Sequence, residues 1–134
     1  MNTDTATAYW AAENDRLALL VTKSTGVLAV ASLTVAPAVQ VASAGDAPRA
    51  LALLAGAYLL SAVLSGVAVN LPRPRVTLTL HEAASEKAAA LMLDAAADNE
   101  LEGIKLSNWV SAGIRDCIAA IMLLLTGFFT GSIL

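Results

Sequence analysis

Few side chains in this sequence belong to the types that perform chemistry, and they are scattered. The single histidine, His81, stands beside Glu82, whereas a zinc site takes three or four protein ligands. Three carboxylates fall on a polar stretch where solvated charge is the expected state: Asp98, Glu100 and Glu102. The single cysteine, Cys117, excludes an internal disulfide and begins an apolar run, which favours a buried thiol. With no P-loop or catalytic triad motif either, we predict no enzyme, metal site or cofactor.

The composition is that of a protein surrounded by lipid. Hydrophobic residues make up 57% of the 134-residue chain and charged residues 14%, whereas soluble domains have about 25% charged residues. The length fits one domain, residues 1–134. A net charge of −3 argues against nucleic acid as a partner, because phosphate binding needs clustered Lys and Arg. The predicted partner is the lipid bilayer.

Three stretches without charged residues could cross this bilayer: 24–45, 50–72 and 117–134. A helix needs about 20 apolar residues to cross a hydrocarbon core of about 30 Å. The third stretch is short, and it could begin earlier if Arg115 extended along the helix to the headgroups. Ala42-Ser43-Ala44 resembles a signal-peptide cleavage site, but the first stretch is longer than a signal-peptide core. We predict an all-α integral membrane protein with three transmembrane helices.

The basic residues predict the orientation. Seven of the eight lie on one side of three crossings, and this side should be the cytoplasm. The N-terminus is then inside, the C-terminus outside, and residues 76–116 form a cytoplasmic helical segment like a hairpin. Its first helix is rich in alanine, and a second helix should begin near Asn99, which has capping-box spacing to Glu102. This second helix is predicted to run from about Glu100 to Thr130.

The spans as bounded above contain no ionisable residue, which disfavours a coupled transporter. Pro37 could kink the first span. Ser61, Ser65 and Asn70 leave two alternatives open: they pack against other helices, or they face a pore made by several copies. Because three such helices cannot enclose water alone, a pore requires a homo-oligomer. The aromatic residues Tyr9, Trp10 and Trp109 are predicted to anchor the inner membrane interface.

Three motifs resemble the transmembrane domain of Pycsar effectors. The sequence LVTKSTGVL at residues 20–28 resembles the start of their first span, with Thr22, Lys23, Gly26 and Leu28 matching. The sequence NLPR at residues 70–73 resembles the end of their second span through Pro72 and Arg73. Residues 101–114, with Lys105, are similar to the segment that leads into their last span. Two positions depart from the family: Val21 replaces an Asp, and the cytoplasmic helix is short. SLATT defence effectors have a similar outline.

The resemblance implies a bacterial antiphage effector in the inner membrane. Such proteins respond to a cyclic pyrimidine mononucleotide and then impair the membrane, and the sequence assigns no residues to a nucleotide pocket. Two other functions remain open from the sequence: a structural or scaffold subunit of a membrane complex that forms no pore, and a phage holin.

Overall fold

The computed structural model describes residues 3–72 and 87–133, which are helical with short connections and contain no strand. The helices are α1 (Thr3–Leu33), α2 (Val35–Ala42), α3 (Asp46–Asn70) and α4 (Ala88–Ile133). These described residues include three helical segments long and apolar enough to cross a membrane, with α1 and α2 counted together. The predicted helical fold with three such segments is confirmed. Arg73, His81, Glu82 and the first part of the predicted cytoplasmic segment, residues 76–86, lie outside the described residues.

The first segment is interrupted by one residue, Thr34, three positions before Pro37. Proline has no N–H to donate to the carbonyl of Leu33, so the regular ladder cannot continue there. The Thr34 hydroxyl donates to the carbonyls of Val30 and Ala31, both at 2.9 Å. The interruption agrees with the effect expected of Pro37.

The turn between α2 and α3 is made by Gly45, whose φ of +148° is rarely adopted by residues with a side chain. Asp46 follows it in the first turn of α3, where a negative charge is favourable beside the helix dipole. Pro48, in the same turn, is fully buried.

Helix α4 is continuous over 46 residues, about 69 Å. The predicted helix start near Asn99 is therefore wrong. Asn99 is buried within α4, and its side-chain nitrogen donates to Asn14 of α1 at 3.5 Å instead of capping a new helix. The alanine-rich residues before it favour helix, so nothing ends the helix at this point.

A line of buried residues along α4 holds the bundle together, and we call it the inner seam. Its members alternate at spacings of three and four: Asn99, Gly103, Leu106, Val110, Gly113, Cys117, Ala120, Leu124 and Gly127. Three contacts set its register with the first segment, Gly103 to Leu17, Gly113 to Val27 and Gly127 to Val41. Each pair is 86 residues apart in sequence, so α1 and α4 are parallel. Helix α3 is antiparallel to both.

Helix α3 ends where Asn70 donates to the Ser24 hydroxyl at 2.7 Å. Among the described helices, α1 and α4 alone continue beyond this level, over residues 3–22 and 88–108, and we call this pair the stalk. It extends about 30 Å past the end of α3. The described part of the predicted cytoplasmic segment is thus no hairpin of its own, because it pairs with the N-terminal half of α1.

Candidate functional site

A buried carboxyl group lies between α3 and α4. Asp116 is only 9% exposed, and its Oδ2 accepts a hydrogen bond of 2.6 Å from the Ser61 hydroxyl. Ser61 is nine residues from the end of α3, about 14 Å along the helix. The sequence placed Asp116 just outside the third apolar stretch, but the fold places it level with the middle of the second. The three stretches as bounded contain no ionisable residue, but the fold brings Asp116 beside the second of them.

The difference has a simple cause. Charged residues were taken as boundaries of apolar stretches, which assumes that all three helices begin at the level of their first charge. The register instead brings Ser65 of α3 against Gly113, and Val69 into one cluster with Leu106 and Val110. The part of α4 that runs beside α3 thus begins near Leu106. Both Arg115 and Asp116 lie within this part.

Arg115 is exposed, although it is the direct neighbour of buried Asp116. Successive residues of a helix are about 100° apart, so the two side chains leave α4 in different directions. No ion pair or hydrogen bond joins the Arg115 guanidinium to another residue within 3–72 or 87–133. This cation therefore projects outward at the level of the inner half of α3.

Arg115 belongs to an exposed line of residues that we call the outer stripe. Its members also alternate at spacings of three and four, over 29 residues of α4: Leu101, Ile104, Asn108, Ser111, Arg115, Ile118, Met122, Leu125 and Phe129. Spacings that average 3.5 residues keep such a line on one side of a left-handed supercoil, as at the contact face of a coiled coil. The outer stripe is apolar at six positions. The sequence analysis did not identify the outer stripe, because its residues in the stalk and its residues beside α3 were assigned to different predicted segments.

A second cation lies beside the outer stripe. Lys23 of α1 lines a groove between α1 and α4, together with Ile114 and Ile118. The offset of 86 places Lys23 level with Trp109, close to the end of α3. Arg115 is therefore six residues of α4, about 9 Å, further into the bundle than Lys23.

The three polar residues predicted on the second span do not share one environment. Ser65 is buried against Gly113, and Ser61 donates to Asp116. The side chain of Asn70 donates to Ser24 and to the Gly66 carbonyl, at 2.7 and 2.9 Å. All three make contacts within one copy of the chain, and Ser61 and Asn70 also retain exposed surface.

The residues of the family motifs are spread along the bundle. Thr22, Lys23, Gly26 and Leu28 follow α1, and Leu28 packs over Gly66 of α3. Pro72 follows the end of α3, and Lys105 lies in the stalk, 3.9 Å from the carboxylate of Glu102. They form no common pocket. Within 3–72 and 87–133, no group of three or more His, Cys, Asp or Glu residues could hold a metal.

Polar contacts join the two helices of the stalk. The Tyr9 hydroxyl donates to a carboxylate oxygen of Glu100 at 2.8 Å, and this bond raises the pKa of Tyr9 above its ordinary value of 10.0. Trp10 packs near Ala6 and Met92. Tyr9 and Trp10 lie about 20 Å beyond the level of Lys23, so they cannot anchor the same interface as Trp109.

Comparison of the chain with protein-family models, with curated proteins and with solved structures gives no significant match.

Proposed function

We propose that the protein is a homo-oligomer that spans the membrane with three helices and impairs it by passing ions. Arg115 carries this proposal, because an exposed guanidinium level with the inner half of α3 has no partner among the described residues of one copy. The outer stripe supplies the surface on which copies meet.

Membrane insertion is supported by the surface of the bundle. Large apolar side chains are exposed along α3 and α4, including Leu53, Leu60 and Met122, as expected of a surface in contact with lipid. The bundle reaches from Lys23 and Trp109 at one end to Gly45 at the other, with α3 about 37 Å long. Its basic residues favour a cytoplasmic stalk, with the N-terminus inside and the C-terminus outside.

A single copy in lipid would expose Arg115 to hydrocarbon. Charged residues at the centre of a transmembrane helix cost about 2.5–3.5 kcal/mol on insertion scales. Along α4, Arg115 lies six residues from Trp109, about 9 Å from the inner end of the bundle. Several copies around an axis would enclose water at Arg115 and remove this cost.

The outer stripe continues beyond the membrane, where lipid cannot cover it. Leu101 is 63% exposed, and with Ile104 it lies in the stalk, which would otherwise face water. A second copy would cover the outer stripe both in the stalk and beside α3. The Asn108 amide can hydrogen-bond across this contact, and the small Ser111 side chain allows close approach of the helices. Inserted copies are parallel, so two stripes in direct two-fold contact would oppose their Arg115 residues. A ring of more than two copies reduces this repulsion, because it holds the Arg115 residues apart around enclosed water.

The biological setting follows the sequence resemblance. We propose a bacterial inner-membrane effector of antiphage defence, triggered by a cyclic pyrimidine mononucleotide. The support is the three motifs at residues 20–28, 70–73 and 101–114.

The test combines a cross-link with a voltage measurement in cells. Because Cys117 is the only cysteine, Ile118→Cys in a Cys117→Ala background should form disulfide-linked copies on oxidation. Leu53→Cys on α3 in the same background is the matched control and should give fewer. Induced expression, with the cyclic nucleotide supplied, should lower the signal of a membrane-potential dye. An unchanged potential with and without the nucleotide would contradict the proposal.

A scaffold subunit is the second candidate, and the exposed stalk residues Leu101 and Ile104 favour it. A partner protein would then cover these residues. A stoichiometric partner on purification that is lost in Leu101→Ser, together with the absence of conductance in planar bilayers, would support the scaffold and contradict the pore.

A further inference from the structure

We infer that the ions passed by this protein are anions, an inference that rests on the proposed homo-oligomeric pore. The inference follows from the directions of two neighbouring charged residues of α4. Arg115 is exposed on the outer stripe, whereas Asp116 is buried. A ring of arginine side chains selects for anions, whereas a ring of carboxylates selects for cations.

The bundle keeps its carboxylate inside. Level with the span of α3, the described residues of α1, α2 and α4 contribute two acidic or basic side chains, Arg115 and Asp116, which are of opposite charge. Asp116 is buried in one copy, where it accepts a hydrogen bond from Ser61. Arg115 lies in the centre of the outer stripe, so a ring built on this stripe presents one guanidinium from each copy.

The arginine charge is permanent and acts over a short range. A guanidinium stays protonated throughout the pH range in which proteins are folded. Its field is strongest where apolar side chains exclude water, and Ile118 and Met122 follow Arg115 on the outer stripe. A small anion is therefore stabilised at this level, and a cation such as potassium is repelled.

Charges near the inner end agree with this direction. Lys23 lies in the groove beside Ile118, at the inner end of the bundle. The acidic residue of the α4 stalk that is nearest to Arg115, Glu102, is 13 residues away, about 20 Å along α4. This distance exceeds the screening length of about 8 Å at physiological salt, so the carboxylates of the α4 stalk cannot cancel the Arg115 ring.

The test is a reversal potential measured on the purified full chain in planar bilayers with a potassium chloride gradient. The wild-type potential should lie close to the equilibrium potential of chloride. Arg115→Gln should lose the selectivity and move the potential toward zero, while Arg115→Lys should keep it. Lys105→Gln removes an equal charge from the stalk and should leave the potential unchanged.

Asp116→Asn gives the decisive second comparison, since the asparagine oxygen can still accept the Ser61 hydrogen bond. The wild-type reversal potential should be retained in this variant. A wild-type potential close to that of potassium, or selectivity that changes in Asp116→Asn and not in Arg115→Gln, overturns the inference while the conductance itself upholds the proposed pore. No conductance from bilayers that contain cross-linked oligomer overturns both.

Discussion

The inner seam and the outer stripe of α4 have the same residue spacing, but they differ in the size of many of their side chains. The inner seam uses small residues at its closest contacts, among them Gly113, Ala120 and Gly127. The outer stripe uses Leu, Ile, Met and Phe. A soluble helix would bury the large side chains and expose the polar ones. In this protein the helices are held together by close approach of their backbones, and the bulky side chains of the outer stripe stay exposed.

We attribute this difference to the proposed lipid environment. Burying apolar surface gains little where lipid is as apolar as the protein, so tight packing and hydrogen bonds between helices carry more of the stability. Glycine on the inner seam has no Cβ to keep helices apart, whereas a large side chain on the outer stripe costs nothing in lipid. The comparison predicts that equal substitutions on the two faces have unequal effects.

The largest effect is expected from Gly127→Leu on the inner seam. A Cβ at this position would stand 2.6 Å from Val41 Cγ1, and a β-branched side chain has little freedom to move away. Overpacking of this kind costs about 1–3 kcal/mol. We expect a lower free energy of unfolding in detergent, measured by circular dichroism during titration with sodium dodecyl sulfate.

Gly56 is the matched control, since a Cβ there would meet nothing within 4 Å. Gly56→Leu should not destabilise the protein, because leucine is also the better helix former. Equal losses in the two glycine variants would show that the close contact on the inner seam is not what stabilises α4.

The next effect concerns the hydrogen bond between α3 and α4. Ser61→Ala leaves the buried Asp116 without its donor. Hydrogen bonds between helices in membranes contribute about 0.6–2 kcal/mol, so we expect a loss of this size in the same unfolding titration. Ser32→Ala is the control, because the Ser32 hydroxyl donates only within α1, to the Leu28 carbonyl. A loss in Ser32→Ala as large as in Ser61→Ala would argue against a stabilising role for the Asp116 contact.

A smaller effect on stability is expected from the outer stripe. Leu125→Ala should change the free energy of unfolding of one copy by no more than about 0.5 kcal/mol, because its side chain is exposed. It should nevertheless reduce the oligomer, measured by light scattering in detergent. Leu53→Ala removes the same side chain from α3 and should leave the oligomer intact. If both leucine variants lose the oligomer equally, the outer stripe is not its specific contact.

The smallest effect is expected in the stalk, where Tyr9 is bonded to Glu100. The raised pKa means that this bond contributes stability below pH 10.0 and loses it as the pH rises through the pKa of folded Tyr9. Absorbance of the phenolate in a Tyr58→Phe background reports Tyr9 alone, since the chain has two tyrosines. Glu100→Gln should lower the titration midpoint of Tyr9. A midpoint unaffected by this change would exclude the Glu100 bond as the cause.

The three apolar segments were predictable from the sequence because long runs without charge have few other folded forms. The bounds of α3 differ from the predicted 50–72 by a few residues, and the helix from Glu100 to Thr130 is present inside α4. The start near Asn99 failed because a local capping pattern was weighed without the neighbouring helix. The Asn99 side chain, which the pattern assigned to a helix cap, instead donates a hydrogen bond to Asn14, 85 residues away.

Hydrophobicity and charge, counted along the chain, were enough to predict how many apolar helical segments this protein has and roughly where they lie. These counts say nothing of how the helices are aligned with one another. That Asp116 points inward and Arg115 outward, both beside the inner half of α3, emerges from the folded bundle alone. The reason is that the register between helices is set by contacts such as Gly113 to Val27, between residues far apart in sequence.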